Sequence, residues 1–168
     1  MLNSKNSKLI LGIDPGSHKT GYGLIEISGK SIKYIKSGTI KLGDGEFFER
    51  MLTLKVEMDA VVKECNPTEV ALESLIYVKS PTALFKLAQA RGVIVSTLLD
   101  DFQGKIFEYS PNLVKSSSVG HGHADKKSVQ KAISMITGVK EFETDDESDA
   151  LAVAICHALN NSRVSVTS

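Results

Sequence analysis

Leu9-Ile10-Leu11-Gly12-Ile13-Asp14-Pro15-Gly16 passes from an apolar run straight into a carboxylate and a Pro-Gly turn. A short apolar run closed by turn residues reads as a central strand, here with Asp14 at its C-terminal tip. Glycines continue at Gly16, Gly21 and Gly23, which leaves room for another backbone, a metal or a phosphate to approach the end of this strand. An Asp is also a common opener of turns. Taken alone, the stretch leaves Asp14 with two readings, a site residue and a turn residue.

Working outward, Thr20 to Ile27 and Ile32 to Ile40 are β-rich runs separated by Ser28-Gly29-Lys30-Ser31, which predicts a hairpin and, with the first strand, a three-strand meander. From Glu46, the residues Phe47, Met51, Leu54, Met58, Val61 and Cys65 recur at spacings of four and three, the mark of a helix with one buried stripe. Pro67 ends it, and Glu69-Val70-Ala71-Leu72-Glu73 is a short strand again tipped by a carboxylate. Ser80-Pro81 supplies an N-cap and a first-turn proline for a long helix through Leu84, Leu87, Arg91, Ile94 and Leu98 to Asp101. Lys105 to Tyr109 is a fifth strand, and Ser110-Pro111 repeats the cap signal for a short helix ending near Ser118. Asp125 caps a helix from Lys126 to about Ile136. Thr144-Asp145-Asp146-Glu147 has the form of a capping box opening the last helix, with Leu151, Ile155, Ala158 and Leu159 as its buried stripe. The order predicts an α/β fold, a five-stranded mixed sheet flanked by helices.

The chain has 168 residues, 42% of them hydrophobic, which fits one compact domain over residues 1–168 with polar tails at about 1–7 and 161–168. The polar start and the lack of a long apolar run predict a cytoplasmic protein with no membrane segment. Cys65 and Cys156 lack metal-ligand spacing and read as buried reduced thiols. Twenty basic residues balance twenty acidic ones, so total charge says nothing of a nucleic-acid partner. The distribution says more: from Lys79 to Lys131 eight basic residues face four acidic ones, a candidate polyanion-binding region. Glu141 to Asp149 holds six acids and no base, which composition alone assigns to a solvated acidic loop. His121 and His123 sit two apart in a glycine-containing loop without accompanying Cys or carboxylates, and fit a structural or substrate-contacting loop better than a zinc site.

Two strands thus present carboxylates at their C-terminal ends, where α/β sheets gather their ligands. Asp146 and Asp149 lie on one face of the last helix, although acids in a first turn also serve the helix dipole. By spacing alone, Asp145 pairs with Asp149 as well as Asp146 does. Four clustered anions repel one another unless a cation joins them. Hard oxygen donors suit Mg²⁺, with Mn²⁺ as a substitute, and a pair of ions could activate water and stabilise the leaving oxygen of a phosphodiester.

Leu11-Gly12-Ile13-Asp14-Pro15-Gly16-Ser17 with Thr20-Gly21-Tyr22-Gly23 resembles the opening of the RuvC-type Holliday junction resolvases. Glu73, Lys86-Leu87-Ala88-Gln89-Ala90-Arg91-Gly92, Val114-Lys115, Gly122-His123-Ala124-Asp125-Lys126 and Asp146-Glu147-Ser148-Asp149-Ala150-Leu151-Ala152 match that family in order, across nearly the whole chain. The resemblance implies an RNase H-like fold and a homodimer that resolves four-way junction DNA by paired, Mg²⁺-dependent nicking in recombination and repair. It also implies work alongside the RuvA–RuvB branch-migration complex. It makes Asp14, Glu73, Asp146 and Asp149 the metal-binding catalytic acids, with two ions per site, and Lys115 and Lys126 the basic residues near the scissile DNA. The family pattern, an acid three before the last Asp, selects Asp146 over Asp145. One departure stands out: an aromatic common three residues after the strand-end Glu is Ile76 here, with Tyr77 beside it. Tyr77 is therefore expected either to stack on junction bases in its place or to pack near Leu84.

Two other classes remain. An actin- or Hsp70-like ATPase lobe shares a Gly-Ile-Asp opening but needs two lobes and a second phosphate loop. A silent DNA-binding relative would not be expected to keep all four acids.

Overall fold

A computed structural model describes residues 7–75, 80–120 and 125–161. Five strands, β1 (Ser7–Asp14), β2 (Lys19–Ser28), β3 (Ser31–Lys41), β4 (Glu69–Glu73) and β5 (Ile106–Tyr109), form one sheet in the order β3-β2-β1-β4-β5. The first three are antiparallel neighbours, while β4 and β5 run parallel to β1. Gly29, at φ +61°, makes the β2–β3 turn, a conformation that costs glycine little. Five helices complete the order: α1 (Phe47–Cys65), α2 (Pro81–Leu98), α3 (Pro111–Val119), α4 (Lys126–Thr137) and α5 (Asp145–Asn161).

Alternation along the strands divides the core between the two faces of the sheet. Leu11, Ile13, Leu24, Val70 and Leu72 pack with α1 and α2. Ile10, Ile25 and Ala71 pack with α3, α4 and α5. The predicted caps are present: Ser80, Ser110 and Asp125 accept from the N–H groups of Ala83, Leu113 and Ser128. Both cysteines are buried and free.

Three local expectations need correcting. The second helix ends at Leu98, not Asp101. Phe102 turns into the core, and Asp100-Asp101 would have opposed the negative end of the helix dipole. In the capping box only the Thr144 half is made, its hydroxyl accepting from the Glu147 N–H; the Glu147 carboxylate instead accepts from Ser37 Oγ of β3 at 3.1 Å. Finally, α5 has no single buried stripe. It is buried continuously from Ala150 to Ala158, whereas Leu159 is exposed. The sheet covers one side and α3 and α4 the other, and a helix enclosed all round has no apolar period to read.

The glycines of β1 and β2 explain how closely α5 sits. Gly12 and Gly23 are paired across the two strands, as are Asp14 and Gly21. A Cβ on Gly12 would collide with the Ala150 carbonyl and lie 2.7 Å from the Ala154 nitrogen; one on Gly21 would strike the Asp146 carbonyl; one on Gly23 would lie 2.6 Å from Leu151 Cγ. The space left beside the first strand is thus filled by the backbone of the last helix.

Candidate active site

Asp14 ends β1, and Glu73 ends β4 one register step beyond the Ile13–Leu72 pair. The glycine-lined approach of α5 brings its first turns, with Asp146 and Asp149, to the same rim of the sheet. Burial pushes Asp14 up to about 7, helped by the negative charges of Asp149, Glu73 and Asp146, while Lys126 pulls the other way. Glu73 and Asp149 are also raised, each mainly by burial. Asp149 adds to the shift of Glu73, and Lys115 and Lys126 oppose the two shifts respectively. Asp14, Glu73 and Asp149 are thus raised by burial first and by neighbouring negative charge after it, as carboxylates crowded into one half-buried place must be.

Glu73 and Asp149 share a cleft of about 310 Å³ with Lys115, Lys126, Pro111, Val114, Val129 and Ala152. Lys115 is carried by α3 and Lys126 by the first turn of α4. Lys126 Nζ lies 3.1 Å from Asp145 Oδ2 and 3.2 Å from Asp149 Oδ2. Asp145 also accepts from Gln130 at 2.7 Å, and these hydrogen bonds, Lys126 first, hold its carboxyl below the ordinary range. Asp145 and Asp146 thus have different surroundings: the first is engaged by α4, and the charge of the second acts on Asp14. Sequence reading did not foresee the part of Asp145 as anchor for Lys126. The four-residue spacing from Asp145 to Asp149, which suits two carboxylates to one cation, was the available signal.

Among the described residues, no three His, Cys, Asp or Glu side chains stand close enough together to enclose an ion as they are placed. The donor chemistry nonetheless fits a divalent cation. Every donor is a hard carboxylate oxygen, Asp14 bears the field of three other acids, and the ammonium of Lys126 already acts as a counter-cation on one flank. Ile76, Tyr77, His121 and His123 lie outside the described residues. The stretch that composition assigned to a solvated acidic loop instead supplies the start of α5, with Glu147 and Ser148 buried.

Residues 10–157 match the family model described as crossover junction endodeoxyribonuclease RuvC. Among curated proteins, the crossover junction endodeoxyribonuclease RuvC of Marinobacter nauticus is 38% identical over 156 residues, covering 93% of this chain and 89% of the relative. That of Acinetobacter baumannii is 40% identical over 151 residues, covering 89% and 82%. Among solved structures, T. thermophilus RuvC in complex with Holliday junction substrate superposes with a TM-score of 0.85 at 26% identity, over 94% of this chain and 96% of that one. The yeast mitochondrial resolvase Ydc2 superposes at 0.63 with 13% identity, a likeness of fold. The five-stranded mixed sheet is accordingly RNase H-like, as expected.

Proposed function

The chain belongs to the RuvC family of crossover junction endodeoxyribonucleases, divalent-metal-dependent enzymes that hydrolyse phosphodiester bonds, and we propose that Asp14, Glu73, Asp146 and Asp149 hold its metal. The observation that carries this reading is the meeting of Asp14 and Glu73, at the tips of neighbouring strands, with the first turns of α5 at one rim of the sheet, where burial first, and the charges of Asp149, Glu73 and Asp146 after it, raise the Asp14 carboxyl. Asp145 is engaged by Lys126 and Gln130, whereas the charge of Asp146 acts on Asp14, which favours Asp146 as the ligand. Mg²⁺, two ions per site, suits the hard donor set.

The substrate is a four-way DNA junction, the substrate held by the T. thermophilus relative. When bound, the metal supplies a nucleophilic water and stabilises the leaving oxygen. The residues of the chain do the rest. Lys115, beside Glu73, and Lys126, beside Asp149, offer ammonium groups to the phosphates flanking the scissile bond. Lys126 would yield its place beside Asp149 to a cation held by the acids and be released to phosphate. The apolar floor of Val114, Val129 and Ala152 narrows the water around them.

Paired nicking needs two active sites, and the protein acts as a homodimer. Phe48, Leu52 and Val56 form an exposed apolar stripe along α1, with Phe85 exposed on α2 nearby in the same layer. Leu84 and Leu87 of α2 are only half-buried. A second copy seated there would cover surface that the chain's own fold leaves open. The chain acts as one nuclease domain over residues 1–168, in the cytoplasm alongside RuvA–RuvB; no described helix is long and apolar enough to cross a membrane.

The test is incubation of the protein and Mg²⁺ with a synthetic four-way junction, and separately with a linear duplex of the same sequence. Symmetrically paired nicks in the junction alone are expected. Equal cutting of both substrates, or of neither, would refute the reading.

A further inference from the structure

On the far side of the Lys126–Asp145 pair from the cleft, a groove of about 490 Å³ runs between α4 and the segment leading to α5. Lys127, Lys131 and Lys140 border it, with Gln130, Ser134 and Glu141 between them. All three lysines are exposed, and none makes an ion pair among the described residues. Asp145 also borders the groove but is engaged by Lys126, and Asp125, beside Lys127, is committed to the Ser128 N–H as the N-cap of α4, so among the groove-lining residues Glu141 is the other acid against three ammonium groups.

The fold gains nothing from this arrangement. Lys127 stands in the first turn of α4, which contains no acid beyond the N-cap Asp125, where a cation opposes the helix dipole. Lys127 and Lys131 are four apart on one helix face, a repulsive pair. Only Val129 and Ile133 of α4 are fully buried, so the lysine face contributes no core. Positive charge placed at a cost to the helix, unpaired and beside a cleft that handles phosphodiesters, calls for an anion from outside.

We infer that Lys127, Lys131 and Lys140 form a second phosphate-binding track, which grips the backbone of the duplex arm leaving the cleft. The spacing suits it. Four helical residues advance about 6 Å, close to two phosphate steps at about 3.4 Å of axis per nucleotide of one strand. The pair Lys126–Asp145 joins cleft and track, so one strand could pass from one to the other. This inference rests on the nuclease reading for the identity of the anion, but the track should hold any duplex, because phosphate contacts carry no sequence or branch information.

The test uses a linear duplex of about 20 base pairs without metal, with the full chain as wild type, Lys127→Ala/Lys131→Ala/Lys140→Ala, and the corresponding triple Arg variant. Affinity is measured from 50 to 200 mM salt, with thermal melting as the fold control. The alanine variant should melt at or above the wild-type temperature, bind at least tenfold more weakly at low salt, and lower the slope of log affinity against log salt by about 2 to 3. The arginine variant should retain the wild-type slope. An unchanged slope in the alanine variant, no duplex binding by wild type, or a lowered melting temperature would overturn the track; the last would give the lysines to the fold, and an acidic protein partner would leave duplex binding intact. Wild-type nicking of a four-way junction, run in parallel, reports separately on the nuclease reading.

Discussion

Asp14 carries a burden that the rest of the molecule imposes on it. Its carboxyl is held at about 7, against 3.8 in an unstructured chain, so between these values the folded protein binds a proton that the unfolded chain has released. Stability should therefore fall as pH rises from about 4 to 7 and level off above, when metal is absent. A shift of this size corresponds to at most about 4 kcal/mol. Asp14→Asn, which cannot ionise, should raise stability at pH 7 by about 2 kcal/mol and flatten that part of the pH profile; chemical denaturation at pH 5 and pH 7.5 measures both. The same variant, with Glu73→Gln, Asp146→Asn and Asp149→Asn, should lose metal-dependent nicking while junction binding persists or tightens, because the lost negative charge no longer repels phosphate. Asp145→Asn should keep nicking within about tenfold. Full activity in Asp146→Asn with loss in Asp145→Asn would reverse the assignment. Lys115→Ala and Lys126→Ala should each lower the salt slope of junction binding by about 1, as read by gel shift.

At the scale of elements, Gly12 and Gly21 decide where α5 can lie. Gly12→Ala sets a methyl against the Ala150 carbonyl and the Ala154 nitrogen, backbone atoms that cannot swing aside, and should cost about 3 kcal/mol or more in stability by denaturant titration. Gly21→Ala presses on the Asp146 carbonyl at the helix start; it should reduce nicking more than it reduces the melting temperature. The strands, caps and strand-tip acids were legible in the sequence, because alternation, Ser-Pro pairs and a carboxylate after an apolar run are local signals. The enclosure of α5 was not, because it depends on glycines more than a hundred residues away and removes the very period by which a helix is read. The engagement of Asp145 by Lys126 and Gln130 was legible only in part: the spacing from Asp145 to Asp149 suits one cation, but nothing local shows which helix will supply it.

Over the whole molecule, the exposed stripe on α1 makes the proposed dimer testable. Phe48→Glu with Leu52→Glu should turn a dimer into a monomer by light scattering and abolish paired nicking in a junction, while leaving the fold intact, since both side chains are largely exposed. Burial of α5 has a different consequence, one of time rather than place. The helix that carries two of the four acids is also the most enclosed segment among the described residues, continuous in burial from Ala150 to Ala158. Its amide hydrogens should exchange with solvent only when the entire domain opens, whereas those of exposed loops exchange through local fluctuations. On warming, the capacity to cut and the native structure should then vanish together, without a folded but inactive stage between them.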